Sequence, residues 1–197
     1  MPSNKPVDVQ DLARFRLPPG FRGRPGWYVQ LWWLVQATLF RWSPQFAYGF
    51  RAALLRAFGA RVGRHTVIRP TVTVTYPWKV TIGDHAWVGD DAILYSLGPI
   101  VIGDHAVVSQ RSHLCAGDHD HEQVDFPIRG RPITVGPQAW VAADVFIAPG
   151  VTIGEGAVIG ARSSVFGDMP ARMLCMGSPC RPVKPRASIP TPQNSSS

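Results

Sequence analysis

The sequence predicts an all-β solenoid, a parallel β-helix of hexapeptide repeats, with an α-helical segment at its N-terminal end. Three observations predict it. First, Val, Ile or Leu occupies positions 62, 68 and 74, then 82, 88 and 94, then 102, 108 and 114, and resumes at 135, 141, 147, 153, 159 and 165. A 3.6-residue helix has no use for a period of six, and strand alternation alone does not enforce one. A coil of three short strands joined by tight turns does, with one aliphatic side chain per strand inside. Second, the turn itself repeats: IGDHAW at 82–87 returns as IGDHAV at 102–107, VGPQAW at 135–140 and IGEGAV at 153–158. Third, the step is six within each group and eight between the first three groups, but Leu114 to Val135 takes 21 residues, and long departures from a regular scaffold are where binding and catalytic groups concentrate.

Residues 1–26 are polar and rich in Pro, Gly and Arg, and read as a flexible or surface-wrapping arm. Residues 27–60 read as two helices. The apolar stretch Trp27–Phe40 falls short of the roughly 20 residues that span a bilayer, so it packs on the protein's own core or lies at a membrane surface. The next helix has Ser43 as N-cap, Pro44 at its first position and Gly59 as its terminator, with Phe46, Phe50, Leu54 and Phe58 as its apolar stripe and Arg51 and Arg56 off it. The solenoid is expected over 61–170 with an excursion loop at 120–134. A closing segment follows at 171–186, then a disordered tail at 187–197, poor in apolar residues.

At 197 residues and 17% charged, the chain can bury a core without disulfides. Its three cysteines form no CxxC pair and read as reduced thiols of a cytoplasmic protein without a zinc site. The net charge of +7 permits an acidic membrane face or a phosphorylated small molecule, and no nucleic-acid-binding motif accompanies it.

The root of the excursion reads AGDHDH, Ala116 to His121. His119 is the candidate general base, because an imidazole titrates near neutral pH and the coil braces its backbone. Asp118 and Asp120 flank it as supports; either a carboxylate or a backbone carbonyl can set its tautomer. His121 is the alternative base or an acceptor contact.

The hexapeptide run, this histidine-bearing loop and the ending GARSSVFGDMPARMLCMGSPCRPVK resemble the bacterial sugar O-acetyltransferases, the group of maltose and galactoside acetyltransferases. GDHDHEQVDFPIRGRPITVG and WWLVQATLFRWSP resemble most the colanic-acid-type branch of exopolysaccharide synthesis. The resemblance implies a left-handed coil, a homotrimer, acetyl-CoA as co-substrate, a sugar or glycan-intermediate acceptor, direct transfer with His119 as base, and no metal. It implies cofactor contacts at Trp140, Ala143, Ala161, Gly177, Arg181 and Lys184. Where many relatives carry Thr-Lys this chain has Phe166-Gly167, so Arg162 is the substitute cation; where many carry an acceptor-binding Asn it has Ser96, leaving Tyr95 and Ser96 as acceptor candidates. Two rival readings are a γ-carbonic-anhydrase-like zinc enzyme, using His85, His113, His119 and His121, and a non-catalytic scaffold. Location at the inner face of the membrane is an expectation tied to the Trp-rich helices.

Overall fold

The computed structural model describes residues 9–187; the tail expected at 187–197 therefore falls, beyond its first residue, outside the described residues. Three parallel sheets form the faces of a prism. The first face stacks Arg61–Val62, Val80–Ile82, Ile100–Ile102, Ile133–Val135 and Thr152–Ile153. The second stacks Val67–Ile68, Trp87–Val88, Val107–Val108, Trp140–Val141 and Val158–Ile159, and the third Thr73–Val74, Ile93–Tyr95, His113–Cys115, Phe146–Ile147 and Ser164–Val165. Five coils are complete, and Met169 bridges to Ile153 to begin a sixth. Of the fifteen six-periodic residues, all but Val62 are at most 2% exposed. Each gains roughly 1.5–3 kcal/mol from leaving water, which is why the period reads so clearly in the sequence.

The turns recur as strictly as the strands. His65, His85 and His105 take the left-handed backbone at φ 54°, 57° and 57°, a region in which His, Asn and Asp are enriched. Their rings stack at 4.9 Å from coil to coil. Beside them the Asp84 and Asp104 carboxylates accept from the N–H groups of Arg64 and Asp84 in the preceding coil. These histidines hold turns.

Two helices close the open end: α1 (Gly26–Val35), prolonged by one π-helical turn over Gln36–Phe40, and α2 (Tyr48–Ala57). Val29, Trp32, Phe40 and Leu55 are fully buried, so the segment packs on the protein's own core. The expected orientation of the second helix is corrected. It begins at Tyr48, not after Ser43, and carries no side-chain cap. Phe46 and Phe50 face out, while Arg51 is fully buried. The reason lies in what the helices cover. A first coil has unpaired strand edges, a liability that must be covered. Arg51 Nε donates to Ile68 O at 2.6 Å, Arg56 to Val62 O and Gly63 O, and Trp32 Nε1 to Val74 O, while Gln36 Oε1 accepts from Val74 N. One edge strand on each face is thus capped by a helix side chain. Arg51 also donates to Ser43 Oγ, Pro44 O and Gln45 O, which makes its burial tolerable. Gly59, at φ +89°, terminates the helix as expected.

Of the two readings of the arm, its described part wraps the surface and is not free. Asp11 N donates to Val124 O, Trp78 Nε1 to Arg22 O, and Lys79 Nζ to Phe21 O. The excursion also starts and ends earlier than 120–134. Gly117–His119 pairs antiparallel with Ile128–Gly130, and Ile133 is already back on the first face. Two glycines make its root possible: a Cβ at Gly98 would lie 2.6 Å from the Arg131 backbone, and one at Gly117 2.7 Å from Leu97. At the far end, Met173–Gly177 and Cys180–Pro185 form a hairpin that extends the second face.

Candidate active site

His119 ends the outgoing strand of the excursion, half-buried, with its ring held on three sides. Its Nδ1 lies 2.8 Å from the carbonyl oxygen of Phe126. A carbonyl only accepts, so in the neutral ring Nδ1 carries the hydrogen and Nε2 keeps its lone pair. The Phe126 ring stacks on the imidazole at 4.3 Å and 10°, and Phe15 of the arm packs at 6.0 Å. Phe126 reaches both contacts from a left-handed backbone, φ +49°, a conformation costly for a bulky residue and one that clusters at functional sites.

Asp118 and Asp120 do not touch the imidazole. Both pair with Arg129, at 3.0 and 3.2 Å, and Arg129 donates to the backbone carbonyl of His119. Hydrogen bonds from Gln123 and from the Glu122 N–H hold the Asp120 carboxyl below its ordinary range. The carboxylates therefore brace the strand, and the tautomer is set by the carbonyl. His121 is exposed in the following turn.

The two acceptor candidates separate. Tyr95, 36% exposed, lies one coil below His119 at the same corner, where its carbonyl accepts from Ala116 N. Ser96 is fully buried, and its hydroxyl accepts from Tyr76 N at 2.8 Å and donates to Tyr76 O at 3.1 Å. That corrects its placement: both hydrogen bonds are spent between coils, and no face of the hydroxyl is open to an acceptor. Cys115 donates to Gly117 O, and burial pushes its thiol up, away from the thiolate a nucleophile needs. Sequence reading gave His113 only a place among the zinc donors. It lies between Tyr95 and Phe146, with Nε2 buried and unpartnered and its pKa lowered by burial.

Of the cofactor candidates, the structure gathers Trp140, Ala143 and Ala161 into one groove of about 440 Å³, floored also by Ser109, Gln110 and Leu174. Trp140 Nε1 donates to Ser109 Oγ, fixing the indole. The backbone N–H groups of Ala143 and Ala161 make no hydrogen bond among the described residues, leaving two donors at the groove. Arg162, Gly177, Arg181 and Lys184 do not line it. Arg162 is exposed at the next turn, its N–H on Ala143 O, and the other three lie on the closing hairpin. A second groove, about 710 Å³, shares Ser109 and Gln110 and continues toward the first coil past Trp87, Arg69 and Asp90. No sequence signal distinguished it, since its walls come from strands and turns of three different coils and from Tyr48 of α2.

The groove follows the corner between the second and third faces, whereas His119 stands at the corner between the third and first. A strand of the third face separates them, five or six residues at ~3.3 Å each, roughly 15–20 Å. Among the described residues of one chain no group of three His, Cys, Asp or Glu side chains could hold a metal ion. Nor is any described helix long and apolar enough to cross a membrane.

The family model for the bacterial transferase hexapeptide, six repeats, matches residues 132–167. A colanic acid biosynthesis acetyltransferase by name, WcaF of Escherichia coli strain K12, is 57% identical over 178 residues, covering 90% of this chain and 98% of that protein. The galactoside O-acetyltransferase of the same strain is 31% identical over 68% of each chain. Among solved structures, a maltose O-acetyltransferase from Clostridium difficile 630 superposes with a TM-score of 0.75 at 26% identity, over 83% of this chain and 90% of that one. Galactoside acetyltransferase in complex with coenzyme A superposes with a TM-score of 0.76 at 25% identity, over 86% and 84%. Solenoid, histidine-bearing excursion and corner groove together define a hexapeptide-repeat acyltransferase. The chain belongs to the hexapeptide-repeat acetyltransferases, in the group of the colanic acid biosynthesis enzymes.

Proposed function

We propose that this enzyme transfers an acetyl group from acetyl-CoA to a hydroxyl of a sugar or glycan intermediate of exopolysaccharide synthesis, with His119 as general base. The observation that carries the reading is the Nδ1–H bond to Phe126 O, which leaves Nε2 as the proton acceptor on a clamped ring. Nε2 takes the hydroxyl proton as the oxygen attacks the thioester carbonyl. A free N–H of Ala143 or Ala161 stabilises the oxyanion. Collapse expels the CoA thiolate, which recovers the proton from the imidazolium, giving the ester and CoA. Pantetheine lies along Trp140, Ala143 and Ala161. Arg162, Arg181 and Lys184 beyond the groove suit the CoA phosphates. Tyr95 and His121 border the acceptor side.

A thioester in the groove of one protomer is a face-width away from that protomer's own His119. We read the site as completed between neighbours of a homotrimer, the groove of one subunit facing the His119 corner of the next.

Thiol release from acetyl-CoA, with the acceptor gaining the mass of one acetyl group, tests the reaction. His119→Ala is expected to lower turnover about 100-fold or more with an unchanged circular dichroism spectrum. Asp118→Asn, which leaves the imidazole bond in place, is expected to cost much less. Wild-type turnover in His119→Ala would remove the assignment.

A further inference from the structure

Helix α1 buries Val29 and Trp32 on one side, yet its opposite side is also largely apolar: Trp27, Leu31 and Leu34, at helical spacing, are exposed, with Gln30 the polar residue among them. The exposed apolar residues continue through Leu39, Trp42, Phe46 and Phe50, with Trp42 and Phe46 at 82% and 81%. A helix apolar on nearly every side belongs in a core or at a lipid boundary, and this one is only half in a core. Scattered exposed leucines are ordinary; three tryptophans (Trp33 at 41% among them), two phenylalanines and three leucines within 24 residues are not.

Charge points to the occupant. From Leu12 to Gly83 the sequence carries eleven Lys and Arg and no Asp or Glu, although the whole chain is only +7, so the rest is net acidic. Eight of those arginines, among them Arg22, Arg24 and Arg41, are exposed. Exposed Trp and Leu in a segment of basic charge is the composition of surfaces that lie in the headgroup region of anionic bilayers. We infer that the N-terminal cap is a docking surface for an anionic lipid bilayer, with Trp27, Leu34, Trp42 and Phe46 entering the interface and the arginines at headgroup level. The inference does not rest on which acceptor the enzyme uses.

Flotation of the full-length protein with vesicles tests it. The protein is expected to float with phosphatidylcholine–phosphatidylglycerol vesicles, to float far less with phosphatidylcholine alone, and to be released progressively by salt. Two variants, Trp42→Ser/Phe46→Ser and Trp27→Ser/Leu34→Ser, are each expected to lower the bound fraction about tenfold without changing turnover on a water-soluble acceptor. All four residues are exposed, and circular dichroism checks that the fold persists. Wild-type protein staying at the bottom with anionic vesicles, or variants floating as wild type does, would overturn the inference. So would sedimentation without vesicles in which the variants form a smaller assembly than wild type, since a second copy would then cover the patch.

Discussion

The imidazole of His119 has one fixed hydrogen-bond partner, and it is a carbonyl rather than a carboxylate. A carbonyl orients the ring without adding negative charge beside it. The sequence marked the histidine, because the six-residue period broke at its root, but it could not mark Phe126. Nothing in the letters HEQVDF announces a phenylalanine with positive φ whose ring and carbonyl serve the same imidazole. Ser96 misled for a related reason: one coil's spacing places a residue at a corner, but not on its inside or outside. His113 offers a test at this scale. Burial lowers its pKa below the ordinary 6.5, so the unfolded chain binds its proton more readily than the folded one. Its neutral-state contribution is therefore complete above about pH 6.5 and declines as pH falls from there toward the lowered value. The melting temperature of wild type is expected to drop more steeply from pH 7 to pH 5 than that of His113→Phe. Parallel curves would show that His113 is not the group responsible. Asp84, Asp120 and Asp144 have lowered pKa values too, but a depressed carboxylate loses its contribution only below about pH 4, outside this window.

At the scale of elements, the strands of the solenoid were legible and the orientation of the cap was not. Each strand hides one aliphatic side chain, and that single requirement writes itself into the sequence at steps of six within each coil. The cap meets a different surface, the open edge of the first coil, whose demand is for hydrogen-bond donors as much as for apolar area. Of the stripe Phe46, Phe50, Leu54 and Phe58, only Leu54 and Phe58 therefore pack against the core, while Phe46 and Phe50 stay exposed and Arg51 goes inside to reach Ile68 O. Replacing Arg51 by Met leaves the Ile68, Pro44 and Gln45 carbonyls without their donor. It is expected to cost about 3 kcal/mol, the worth of one or two charge-assisted hydrogen bonds. A urea titration measures it; a loss below about 0.5 kcal/mol would show that the carbonyls find other partners. Arg51→Lys retains the charge but not the fork that reaches several carbonyls at once, and should recover only part of the loss.

For the whole molecule, the prism separates the two halves of the proposed site. His119 and the Ala143–Ala161 groove sit at different corners, and one sheet's width keeps them apart within a chain. The sequence held both sets of residues and the repeat that spaces them, yet distance around a coil becomes visible only once three faces are assigned. The central claim is that one protomer's groove serves its neighbour's histidine. Co-refolding two inactive variants, His119→Ala and a groove-blocking Ala161→Trp, measures this directly. In mixed trimers some interfaces join an intact histidine from one variant to an intact groove from the other. Activity of about one quarter of wild type is expected from a one-to-one random mixture with such head-to-tail interfaces. A mixture as inactive as either parent would contradict the shared site.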